Sequence, residues 1–100
     1  MHRVDTFEEI REVINLHRSD LEQKYQVSKI AVFGSAARDA LSDSSDIDIL
    51  VEFNGSIGFF ALAHLQDELR LLLGRNVDLT TSGALHPLLR NAILQDLVYV

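Results

Sequence analysis

Apolar residues recur along this chain with two periods, and the switches between them mark out its elements. At Phe7, Ile10, Val13, Ile14, Leu21 and Tyr25 they follow helical spacing, and Thr6 with Glu9 three residues later forms a capping box ahead of them. That pattern predicts one helix from about Thr6 to Tyr25. Lys29 to Phe33 is short, β-branched and aromatic and stops at Gly34, which predicts a buried strand. Ser35 to Leu41 is alanine-rich and predicts one or two helical turns with Ser35 as N-cap. A polar loop, Ser42-Asp43-Ser44-Ser45, leads to a second strand over Asp46 to Phe53, which Asn54-Gly55-Ser56 closes. Ile57 to Leu73 predicts a long apolar helix, and Gly74 stands where a left-handed C-terminal cap belongs. Asn76 to Thr80 predicts a third short strand, and Pro87 the first residue of a last helix running to about Gln95. Val98-Tyr99-Val100 reads as an extended tail.

The order α-β-α-β-α-β-α predicts an α/β (α+β) fold, a small mixed three-stranded sheet flanked by about four helices. One hundred residues make a single domain, 1–100, with a helical N-terminal segment (1–28) and a motif-bearing region (29–100). At 47% hydrophobic residues there is apolar material for one core but not for a second lobe. The formal charge of −6 argues against direct nucleic-acid binding through the phosphate backbone, which needs clustered Lys and Arg. It leaves open a nucleotide held through metal ions in a local pocket. Without cysteine there is no disulfide, thiolate nucleophile or cysteine-ligated zinc. The charged N-terminus has no signal-like apolar core, and no run of ~18 apolar residues exists, so a soluble, cytoplasmic protein without a membrane span is expected.

The chemistry starts at Asp46-Ile47-Asp48. Strand residues two apart share a face, so the two carboxylates project side by side while Ile47, Ile49 and Val51 project to the other face. Such a pair repels itself unless a cation neutralises it, and hard oxygen ligands suit magnesium. Alone, such a pattern more often means two carboxylates facing water at a strand mouth. The upstream sequence changes that. A strand, then Gly34-Ser35, then a short helix presents backbone N–H groups and a helix N-terminus to phosphate, with Gly34 allowing close approach and Ser35 adding a hydroxyl. Ten residues then lead to the acids of the next strand. Asp78 is the natural third acid if its strand lies beside the second, the alternative being an edge carboxylate on a strand. Two metal ions about 3.5–4 Å apart would then serve an in-line displacement, with Asp46 and Asp48 holding both ions. Asp78 would bind the ion under the incoming hydroxyl and help remove its proton.

The stretches Phe33-Gly34-Ser35-Ala36-Ala37-Arg38 and Ser45-Asp46-Ile47-Asp48-Ile49-Leu50-Val51-Glu52-Phe53 resemble the signature of the DNA polymerase beta-like nucleotidyltransferase superfamily. The short length, Val77-Asp78-Leu79 and the ending from Pro87 to Val100 are similar to the MNT proteins of HEPN/MNT toxin–antitoxin pairs, the MntA-like antitoxins. The resemblance covers about Lys29 to the C-terminus. It implies that Gly34 and Ser35 hold phosphate and that Asp46, Asp48 and Asp78 bind two magnesium ions. It also implies ATP as donor, a HEPN-domain RNase toxin as partner and a toxin tyrosine as AMP acceptor. Two positions depart from the family's Gly-Ser-Arg-Ala-Arg-Gly: Ala36 replaces the first arginine, which would weaken triphosphate binding, and Asp39 replaces the final glycine. Arg38 matches the second arginine, and two readings stand for it, a phosphate contact or a local pair with Asp39 or Asp43.

His2, His17, His64 and His86 lie on different elements without metal-ligand spacing and read as surface or cap residues. Asp43 to Asp48 lacks the glycine and distal glutamate of a calcium loop. The helix carrying Phe59, Phe60, Leu62, Leu65, Leu69 and Leu71–Leu73 is apolar around much of its circumference, more than one core face requires, which suggests a partner on another side. Three functions follow: covalent silencing of a toxin by AMP transfer, non-catalytic neutralisation by occlusion, or nucleotidyl transfer to a small molecule such as an aminoglycoside. The last is disfavoured because no acceptor lobe is legible.

Overall fold

Alternation along residues 47–53 sets the layers of the molecule. Ile47, Ile49 and Val51 are fully buried, while Asp48 and Glu52 on the opposite face are only half-buried. The computed structural model describes residues 3–84 and 87–100. Its elements are α1 (Phe7–Leu16), α2 (Arg18–Tyr25), β1 (Val27–Phe33), α3 (Gly34–Ala37), β2 (Ile47–Phe53), α4 (Phe59–Leu73) and β3 (Val77–Thr81). A 3-10 turn (Ser82–Ala84), α5 (Pro87–Asp96) and β4 (Val98–Tyr99) complete them. The strands form one sheet in the order β3-β2-β1-β4, with β2 and β3 parallel and the other pairs antiparallel.

The α/β class and the mixed sheet agree with the sequence reading, and two details differ. The sheet has four strands, because the C-terminal tail pairs with β1 through Ala31↔Tyr99 and Val32↔Val98. The long first helix is two helices that break at His17 (φ −104°, ψ 7°). Between Ile14 and Leu21 the one apolar residue, Leu16, is exposed, so no buried apolar anchor holds the ladder straight there. Arg18 instead donates to Asn15 Oδ1 and to the carbonyl of Val100, tying the break to the end of the chain. The Thr6 cap forms as read, accepting from the Glu9 N–H at 3.1 Å, while the Glu9 carboxylate accepts from the Asp5 N–H at 3.0 Å, one residue before the cap.

The apolar face of the sheet, with Ile30 and Val32 of β1, the three β2 residues and Val77, shares one core with Ile10, Ile14, Leu21, Leu65, Leu69 and Leu73 from α1, α2 and α4. Each fully buried leucine on α4 contributes about 1.5–3 kcal/mol. Gly74 ends α4 in the left-handed conformation (φ 68°), as its position after Leu73 predicts. α4 is the crossover that brings β3 parallel to β2, which the third acid requires. α5 lies against β1 and α3, while Asp46 just ahead of β2 is exposed and Asp48 half-buried. Among the described residues no helix is long and apolar enough to cross a membrane. His17 caps α1 and His64 is exposed, as expected, while His2 and His86 lie outside the described residues.

Candidate active site

Asp48 is the second residue of β2 and sits between two neighbours in register. Phe33, the last residue of β1, pairs with it on one side and Asp78 of β3 on the other. Directly paired residues carry their side chains on the same face, so the two carboxylates stand side by side across adjacent strands. Asp46, two residues before Asp48, is exposed and precedes the first residue of β2. The structure thus brings the three acids of the sequence reading to one end of one sheet face. Burial raises the proton affinity of Asp48 above the ordinary carboxylate value, and the negative charges of Asp78 and then Asp46 raise it further. Arg38 opposes the shift with its positive charge.

β1 delivers the glycine to the same place. Gly34 follows Phe33 directly and has φ +69°. A Cβ built on it would stand 2.4 Å from Asp48 Oδ2, so the carboxylate occupies the space that a side chain would fill. Only glycine combines that approach with that backbone conformation without strain. The phosphate-turn candidate and the metal-ligand candidate are therefore in direct contact.

Around this pair the sequence reading needs correcting at several points. Helix α3 starts at Gly34 with Phe33 as its N-cap, so Ser35 lies inside the first turn and does not cap it. Arg38 pairs with neither Asp39 nor Asp43. Its guanidinium meets Asp96 at the end of α5, 58 residues away and beyond the reach of any local pattern. Asp43 pairs instead with Arg3 at 2.9 Å. Asp39 adopts φ 56°, the left-handed conformation that explains a glycine at this position in the family signature. Aspartate is among the few other residues that tolerate it, and here its Oδ1 accepts the Phe7 N–H at 2.9 Å, satisfying an orphan donor in the first turn of α1. Ala36 is fully buried in the core, so its small size serves packing under α3.

One residue went unnoticed in the sequence. Arg75, just after the α4 cap, is the only buried charged residue among those described. Its guanidinium donates to the carbonyls of Val4, Ser42 and Ser45 and to Asp5 Oδ1. The available signal was an arginine directly behind a helix-ending glycine, and it is weak. Next to Arg75 a cavity of about 460 Å³ opens between the Ser44–Ser45 loop, Asp46 and the last turn of α4.

The site therefore consists of a left-handed glycine packed on a strand aspartate, with a second acid in register beyond it. The chain matches the family model described as nucleotidyltransferase domain over residues 14–100. It belongs to that family.

A Methanocaldococcus jannaschii protein named provisionally as a protein adenylyltransferase is 41% identical to this nucleotidyltransferase over 96 residues, covering 95% of this chain and 98% of its own. The protein adenylyltransferase MntA of Thermococcus cleftensis is 35% identical over 95 residues, covering 95% and 96%. A solved structure described provisionally as a minimal nucleotidyltransferase superposes with a TM-score of 0.79 at 31% identity, over 93% of this chain and 94% of that one. The complex of a tri-AMPylated Shewanella oneidensis HEPN toxin with its MNT antitoxin gives a TM-score of 0.64 at 22% identity, covering 92% of this chain and 68% of the matched one. At that identity the match speaks for the fold. The nucleotidyltransferase is thus of the minimal, MNT type in both sequence and fold.

Residues suited to a cation are the acids already described. Among the described residues no three acidic or histidine side chains are drawn together around one point. Magnesium does not require such a cage, since it is commonly bound by one or two carboxylates, waters and substrate phosphates. Three carboxylates at one end of a face, one of them with raised proton affinity, are the donor set that such a cation fits.

Proposed function

We propose that this nucleotidyltransferase is a protein adenylyltransferase that moves AMP from ATP onto a tyrosine of a HEPN-type RNase toxin and so silences it. The contact between Gly34 and Asp48, with Asp78 beside it in register, carries the reading. The names of its full-length relatives support protein adenylylation, and the fold shared with the HEPN–MNT complex supports the partner.

In this reading Gly34 and Ser35 hold the triphosphate, and Arg38 meets a phosphate in place of Asp96. Asp46, Asp48 and Asp78 would hold two magnesium ions, which would neutralise the acids and supply Lewis-acid polarisation of the phosphate. The tyrosine oxygen forms a bond to the α-phosphorus as the bond between the α-phosphorus and the bridging oxygen breaks. Pyrophosphate leaves, and Asp78 takes the phenolic proton. The toxin brings its own surface to the site, because the acids lie at an open end of the sheet. Phe59 and Phe60, 77% and 79% exposed with rings 5.9 Å apart edge to face, offer it an apolar contact on α4.

That exposed pair also favours a second reading, neutralisation by occlusion without chemistry. Labelled ATP, magnesium and the purified partner separate the two. Transfer of label to the toxin that is lost in the Asp46→Asn/Asp48→Asn double variant supports the enzyme. Full neutralisation by that variant, with no label transferred by the wild type, overturns it.

A further inference from the structure

We infer that Arg75 is the positioning residue for Asp46, an inference that rests on the proposed role of Asp46 as a metal ligand. Asp48 and Asp78 lie within strands, where the ladder holds them. Asp46 precedes β2 at the end of a serine-rich loop and makes no ladder bond of its own, because the ladder with β3 starts at Ile47. The backbone on both sides of Asp46 is bonded instead to two consecutive residues. The Ser45 carbonyl accepts from Arg75 Nη1 at 3.2 Å, and the Ile47 N–H donates to the Asn76 carbonyl at 3.0 Å. The same Nη1 takes the Ser42 carbonyl at 2.7 Å, so both ends of the Ser42–Ser45 loop hang on one nitrogen.

The side chain of Arg75 is only 4% exposed, and burying a guanidinium is unfavourable unless its donors are matched. Here Nε donates to the Val4 carbonyl at 2.7 Å and Nη2 to Asp5 Oδ1 at 3.1 Å, so the planar fork is engaged on two distant segments at once. A lysine ammonium, one nitrogen on a flexible stem, cannot span them. The arm to Val4 and Asp5 serves stability. The arm to Ser42 and Ser45 places an acid.

Those two arms make the inference testable. In Arg75→Lys, kcat for AMP transfer falls about 100-fold, the loss expected of a ligand displaced by about 1 Å, while KM for ATP stays within about threefold. Guanidinium ion at sub-denaturing concentration restores part of the activity of Arg75→Ala. Asp5→Ala, which loosens only the N-terminal arm, lowers the melting temperature and leaves kcat unchanged. Hydrogen exchange gives a readout independent of turnover: the Ile47 amide exchanges faster in folded Arg75→Lys, and binding of manganese alone weakens. If the wild type labels no partner while the exchange and manganese effects hold, the adenylyltransferase reading fails and the positioning of Asp46 stands. Folded Arg75→Lys with wild-type exchange at Ile47 and unchanged manganese binding overturns the inference. So does a loss of kcat in Asp5→Ala equal to that in Arg75→Lys.

Discussion

Replacing Gly34 with alanine tests whether the turn and the acid are one unit. Two costs add at this position. The backbone stands at φ +69°, where a residue with a Cβ loses about 1 kcal/mol. The new methyl would lie 2.4 Å from Asp48 Oδ2, so the carboxylate has to retreat by about 1 Å to reach ordinary contact. Because that oxygen ends a side chain that can turn, the steric share sits at the low end of overpacking costs, about 1 kcal/mol. The sum, about 2 kcal/mol, lowers the melting temperature of a domain this size by roughly 8–16 °C. A carboxylate misplaced by about 1 Å costs on the order of 100-fold in transfer rate. The decisive assay is a double-mutant cycle. Asp48 Cβ lies 3.7 Å from the new methyl, so Asp48→Ala removes the collision and keeps ordinary contact. In that background Gly34→Ala is expected to cost only the backbone share, about 1 kcal/mol in urea denaturation. Equal losses in both backgrounds, or a Gly34→Ala enzyme within twofold of wild-type rate, would refute the steric coupling of turn and acid.

Two further outcomes follow from the same geometry. Asp48 in the metal-free fold holds its proton more tightly than in the unfolded chain, through burial first and then Asp78 and Asp46. Between the unfolded and folded pKa the native state therefore binds more protons, and stability falls as pH rises from about 4 through the raised folded pKa. Asp48→Asn should flatten that decline, and parallel denaturation curves for the two proteins across this range would refute it. At Asp39, alanine loses both the bond to the Phe7 N–H and the tolerance for φ 56°, about 2 kcal/mol in all, whereas glycine loses only the bond, about 1 kcal/mol. Chemical denaturation of the pair decides this, and equal losses would remove the left-handed backbone from the explanation.

Much of the site was legible in the linear chain because its geometry is local. Strand parity puts Asp48 on the face opposite Ile47 and Ile49, with Asp46 just ahead of the strand, and a strand ending in Gly34 needs only its own backbone to make the turn. The start of the first helix, its Thr6 cap and the Gly74 stop are likewise short-range: their hydrogen bonds join residues a few positions apart. The sequence by itself also determined that Ile47, Ile49 and Val51 face a core, since only a two-residue period separates them from the acids.

Other features depended on contacts between distant segments. The partner of Arg38 is Asp96, and the tail becomes a fourth strand only because β1 offers it a free edge. The segment after the break at His17 is tied down through Arg18 to Val100, a residue 82 positions away. Arg75 looked like any arginine after a helix cap until the fold closed the N-terminal segment and the serine loop around its guanidinium. Periodicity reports which face of an element is buried but not what stands opposite it. The acids themselves could therefore be read from the chain, whereas the arginine that holds one of them in place came into view only with the tertiary structure.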